Sequence, residues 1–174
     1  MKRLPFFLLA SIAAASCVQA AQHTLHTWKK HHLNEHFWSE GAHVGDFNKD
    51  GTLDVVSGPY WYEGPDFKQR HEYYKPAQSF ELKSKDGGKT VRIPGFPGAL
   101  SGRNAYSDNF FAFTHDFNKD GWTDILVLGF PGKDGSWYEN PKGKPGHWKR
   151  HVAVDIVDNE SPTFGGLTGD GQPE

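Results

Sequence analysis

Asp46, Asn48 and Asp50 place side-chain oxygens at every second residue, Gly51 follows, and Asp54 returns a carboxylate three positions later. Seventy residues on, the stretch recurs without change as Asp116-Phe117-Asn118-Lys119-Asp120-Gly121, again with an acid, Asp124, at the ninth position. Oxygens at positions one, three and five of a tight curve suit calcium, a hard cation that takes six to eight oxygen ligands in varied geometry. The glycine lets the backbone turn sharply at little steric cost. Position seven, Thr52 or Trp122, is placed to offer its carbonyl, and Asp54 or Asp124 to come back to the ion. The expected metal ligands are therefore Asp46, Asn48, Asp50, Thr52 and Asp54, and Asp116, Asn118, Asp120, Trp122 and Asp124.

The loop start resembles an EF-hand, which also needs a bidentate Glu at position twelve and flanking helices. Position twelve here is Ser57 or Val127, within β-branched and apolar runs that favour strands, so the expected setting is a β-turn-β loop. Asp, Asn and Gly are also ordinary turn residues. Two identical copies, each with the ninth-position acid, weigh for the metal. A third copy, Gly166 to Glu174, has lost the first Asp and the Asn but keeps Asp170 at position five, which is expected to be its remaining ligand.

Other markers repeat in step. Trp61-Tyr62-Glu63-Gly64-Pro65 follows the first loop and Trp137-Tyr138-Glu139-Asn140-Pro141 the second. Trp28-Lys29-Lys30-His31 matches Trp148-Lys149-Arg150-His151, and Phe67 to His71 is a degenerate relative. Each unit therefore reads as loop, apolar strand, turn, Trp-Tyr-Glu strand, Pro turn, and a closing strand. A surplus between about 75 and 110 reads as an insertion. It holds a hairpin of Phe80–Lys83 with Thr90–Ile93 around Asp86-Gly87-Gly88-Lys89, then a Gly/Pro-rich stretch and the polar Ser101–Asn104 and Tyr106–Asn109, which are placed to contact a ligand.

Composition agrees with short strands and many turns. The 174 residues include 20 glycines, 11 prolines and 14% aromatics, with no long amphipathic helical pattern. A net charge of −2 leaves no basic footprint for nucleic acid. Residues 1–20 read as a secretory signal: basic Lys2 and Arg3, an apolar run, and Val18-Gln19-Ala20 before a cleavage point after Ala20. The lone Cys17 falls inside it, which leaves a lipoprotein signal as the alternative and gives the mature chain no disulfide. A secreted, periplasmic or cell-surface protein with no transmembrane segment after signal removal is expected, with calcium in the clamping role that disulfides often fill.

The loops, each followed by an apolar strand, resemble the FG-GAP/VCBS repeats, the β-propeller repeats also found in integrin α-subunits. The resemblance spans Trp28 to Glu174, and it implies an all-β fold: a partial β-propeller of about two to three four-stranded blades with structural Ca2+ in inter-strand loops. Residues 21–174 hold about two and a half repeats, so the chain reads as part of a longer ring, or else as an open array that self-associates through a blade edge. The expected function is a secreted, calcium-stabilised module that binds a carbohydrate or protein ligand without catalysis. The alternatives are part of a carbohydrate-acting propeller enzyme, a hydrolase or a lyase similar to aldos-2-ulose dehydratase, and an adhesion or assembly segment. No nucleophile, base and orienter set is present, and no catalytic residue is assigned. The histidines at 23, 26, 31, 32 and 36 could form a transition-metal cluster, but the match of His31 to His151 favours blade packing. His43 and His115, just upstream of the loops, are expected on one face of the propeller, and the recurring Trp28, Trp61, Trp137 and Trp148 are expected to pack blades before they stack on sugars.

Overall fold

The computed structural model describes residues 27–35, 37–76, 79–83, 89–94, 109–159, 161–170 and 172–173. Residues 1–20, read above as a signal, His23, His26, His36 and the Ser101–Asp108 stretch lie outside the described residues. Thr27 to Lys30 belong to a separate N-terminal unit, and every described strand belongs to the unit that starts at His31.

The described residues are all β-strand, turn and loop, in ten strands. The first sheet has β1 (His43–Gly45), β2 (Asp54–Ser57), β3 (Tyr60–Tyr62) and β4 (Arg70–Glu72), in the order β1-β2-β3-β4. The second has β7 (Phe111–His115), β8 (Asp124–Leu128), β9 (Lys133–Glu139) and β10 (Lys149–Val157), as β7-β8-β9-β10. Every neighbouring pair is antiparallel. Between the sheets in sequence, β5 (Ser79–Lys83) and β6 (Thr90–Pro94) form the expected hairpin, with Phe80 opposite Ile93.

Each sheet is an up-and-down meander of the kind a propeller blade uses. The strands follow from composition. In β2 and β8, β-branched and leucine residues run between a loop and a glycine turn, and such residues fit a pleated, packed surface. Gly58 makes the turn into β3 at φ +60, and a Cβ there would stand 2.3 Å from the Trp38 Cβ. Strand β10 is bulged between Val152 and Val157, which breaks its register against β9.

The sheets meet through one aromatic-rich core. Phe47, Val56, Trp61 and Tyr73 from the first pack with Ala112, Ile125, Val127, Tyr138 and Trp148 from the second. A second cluster, Trp38, Tyr60 and Tyr62 with Leu33, Phe37 and Phe67 against it, covers the other face of the first sheet. On the second sheet Phe164 plays that part, its ring against Phe113, Phe117 and His115. The first sheet is thus packed on both faces, whereas on the second the cover reaches β7 and leaves β10 largely exposed. The first strands of the two sheets are laced together: His43 Nδ1 lies 2.8 Å from Thr114 Oγ1, whose hydroxyl donates to the Val44 carbonyl, and Gly41 N–H donates to the Phe110 carbonyl.

Two expectations need correction. The insertion does not extend to 110: Asn109 and Phe110 are buried, and Asn109 donates to the Gly58 carbonyl and contacts the Tyr74 hydroxyl. Asn109 is therefore a core brace, not a ligand contact. The repeat unit also begins before the loop, with the edge strands β1 and β7, so each loop joins the first and second strands of its sheet.

Paired acidic loops and the cleft beside them

The two loops fold alike. Lys49 and Lys119 adopt left-handed φ values of 62° and 59°, and Gly51 and Gly121 follow at 83° and 85°. In the first loop Asp46 accepts the N–H groups of Asp50 and Gly51, Asn48 Oδ1 shares the Asp50 N–H, and Asp50 accepts from Thr52 N–H at 2.7 Å. The second repeats every bond with Asp116, Asn118, Asp120, Gly121 and Trp122. Two side-chain oxygens on one N–H must lie close together. Positions one, three and five are therefore gathered on one side of the curve.

The ninth-position acids have a bracing role that the spacing did not reveal. Asp54 and Asp124 are fully buried behind their loops. Asp54 accepts Phe47 N–H and Gly64 N–H, one on each oxygen; Asp124 accepts Phe117 N–H and Asn140 N–H. Each thereby ties the loop to the turn that leaves the third strand. Burial pushes both carboxyls up, Asp124 to about 6, against the pull of those N–H groups; the other loop acids add to the rise. At the rim the N–H of Thr52 and the amide of Asn48 hold Asp50 low. Burial pulls Asp120 up, but the Trp122 N–H, Lys142 and Asn118 outweigh it and leave its carboxyl low.

Among the described residues no three His, Cys, Asp or Glu side chains converge on one point. Each loop instead presents two carboxylates and an amide oxygen at its rim, with the third carboxylate behind. All of these are hard oxygen donors, and a carboxylate oxygen that accepts one N–H keeps a second lone-pair site. The donor chemistry therefore fits calcium. Asp170 keeps the position-five bond of the other copies, accepting Gln172 N–H at 2.8 Å, with Gly169 left-handed before it; Glu174 lies outside the described residues.

The loops sit side by side. A Cβ on Gly45 would meet the Thr123 methyl at 2.9 Å, and Lys49 Nζ lies 4.6 Å above the Trp122 ring. Asn140, 2% exposed, fastens them: its Nδ2 donates to the Phe47 and Thr123 carbonyls, and its Oδ1 accepts Lys142 N–H.

Beside the first loop a cleft of about 500 Å³ opens between the sheets. Asn48, Trp61, Glu63, Arg70, His71 and Lys144 are among its lining residues. Trp61 stacks on His71 with ring centroids 4.1 Å apart, and His71 Nε2 lies 2.7 Å from Glu63. The second sheet has the same trio away from the cleft: Trp137 on His151 at 4.2 Å, and His151 Nε2 2.8 Å from Glu139. The trio recurs in both sheets, at the same place on the third and fourth strands, and in each it ties those strands together. His71, from the degenerate strand, is thus the first-sheet counterpart of His151, and the sequence signal for it was only the Arg-His pair. Trp61 and Trp148 are both buried in the core against Phe47, and each also borders the cleft. His31 packs edge-on against Phe67, and His32 pairs with Glu35 at 3.6 Å, so these two hold no common ligand position.

No family model, no curated protein and no solved structure matches this chain.

Proposed function

We propose that this chain is a secreted, calcium-stabilised β-propeller repeat module of the FG-GAP/VCBS type that binds a ligand and performs no chemistry. The observation that carries the reading is the pair of four-stranded meanders, each with the same oxygen-rich loop between its first and second strands. Calcium would be held by Asp46, Asn48, Asp50 and Asp54 in one loop and by Asp116, Asn118, Asp120 and Asp124 in the other. When bound, it neutralises the gathered carboxylates and clamps each loop between strands. Its role in this reading is structural. The ligand, a carbohydrate or a protein segment, would lie in the interblade cleft, whose volume is in the range of small-molecule sites. Arg70, Glu72 and Lys144 supply its polar contacts. Because calcium binds the folded loops and not the unfolded chain, it raises the melting temperature and EDTA lowers it. No change with either would sink the structural-ion reading.

The nine-residue outer strand β10 favours a second reading, assembly. Val152, Val154 and Ile156 are all more than half exposed on it. Such an edge invites pairing with another chain.

A further inference from the structure

The two loops share their first six residues but not their neighbours. From the turn after β9, Lys142 places Nζ 3.1 Å from Asp120 Oδ2. The Lys142 backbone is held in a left-handed conformation, φ 59°, with its N–H on Asn140 Oδ1. Lys49 brings a second ammonium to the same loop, over Trp122 and 3.4 Å from where a Cβ on Gly121 would stand. Among the described residues the first loop has no such partner. Counted from the shared proline, the residue matching Lys142 is Asp66, which pairs instead with Lys68 at 3.1 Å. Among the described residues no lysine or arginine stands within ion-pair reach of Asp46 or Asp50. Asp50 is accordingly exposed, while the Asp120 side chain is only 16% exposed beneath its lysine.

We infer that Lys142 is the resident counter-ion of the second loop, so that a divalent cation must displace its ammonium from Asp120 and the first loop fills before the second. The inference rests on the calcium reading. It follows from competition for one carboxylate. Asp120 Oδ2 already accepts from Asn118 Nδ2 and Lys142 Nζ, and an incoming cation needs the lone pairs that they use. A partly exposed pair of this kind is modest, and its loss converts to an affinity gain of about two- to fivefold.

Trp122 makes the second loop separately visible. It occupies position seven, with its N–H on Asp120, whereas the first loop has Thr52 there. An indole beside a bound terbium ion sensitises its luminescence, and that transfer falls steeply with distance. The test titrates terbium(III) into the full chain, its Lys142→Gln variant and its Trp122→Phe variant, with calorimetry alongside. Lys142 is half exposed, so the Gln variant keeps the fold. The inference predicts a Trp122-dependent signal that lags the first binding heat in the wild type. In Lys142→Gln its midpoint falls about two- to fivefold, and the early heat is unchanged. An unchanged midpoint with both ions bound would overturn the role of Lys142 and leave the calcium reading standing. No heat and no signal in any of the proteins, with calcium or terbium, would overturn the calcium reading itself.

Discussion

Phe47 and Phe117 occupy the same position in two identical hexapeptides, yet truncating them has unequal consequences. Phe47 is 2% exposed and wedged between Trp61 of its own sheet and Trp148 of the other, at ring distances of 5.6 and 6.0 Å. Its removal leaves a cavity in the core shared by the sheets. Core Phe→Ala changes of this kind cost about 3–5 kcal/mol, and the lost ring pairs place Phe47→Ala at about 4 kcal/mol. Phe117 is half-buried against Trp137 and Phe164. Having less apolar surface to lose, Phe117→Ala costs about 2 kcal/mol. Urea unfolding in a calcium-containing buffer measures both as midpoint shifts at constant slope. Should Phe47→Ala prove too unstable to fold, the Leu pair preserves the comparison with smaller shifts in the same order. Equal losses at the two positions, or a larger loss at Phe117, would refute the packing of the two sheets around Phe47.

Two further outcomes follow from the loop architecture. Asn140→Ala strands the buried Phe47 and Thr123 carbonyls and frees the Lys142 N–H, which predicts a loss of about 2–3 kcal/mol by denaturant unfolding. The folded carboxyl of Asp124 lies at about 6, above its ordinary 3.8. Between those values the folded chain binds more protons than the unfolded one, so in EDTA this group's contribution to stability is lost as pH rises through about 6. If the loops hold calcium as proposed, it competes with that proton, so calcium reverses the slope and its stabilisation grows over the same pH window. Melting curves from pH 4 to 7, in EDTA and in calcium, check both signs, and Asp124→Asn should flatten both.

The repeat made much of this readable in advance. Identical loops, β-branched runs and Trp-Tyr-Glu markers located the second and third strands of both sheets, because each carries its local pattern whole. The insertion hairpin was likewise visible from its Asp-Gly-Gly turn. The first strands were not. His43–Gly45 is three residues long, too short to show a period, and it is held by lacing to the other sheet rather than by its own composition. The unequal burial of Phe47 and Phe117 was hidden for a related reason: the motif is the same, and only the neighbouring sheet distinguishes them. Asp54 and Asp124 read from spacing as ligands alone, since nothing in a linear pattern tells that a carboxylate also braces Gly64 or Asn140. The role of Lys142 depends on a turn reaching back across the loop, a contact with no sequence period at all.

The central claim is that the paired loops are metal sites. Metal analysis after equilibration in saturating calcium tests it most directly on the wild type, Asp46→Ala and Asp116→Ala. The expected result is that each variant, shown folded by its β-sheet circular dichroism, holds about one calcium per chain fewer than the wild type. A wild-type chain that retains no calcium, or two folded variants that retain as much as it does, would contradict the claim.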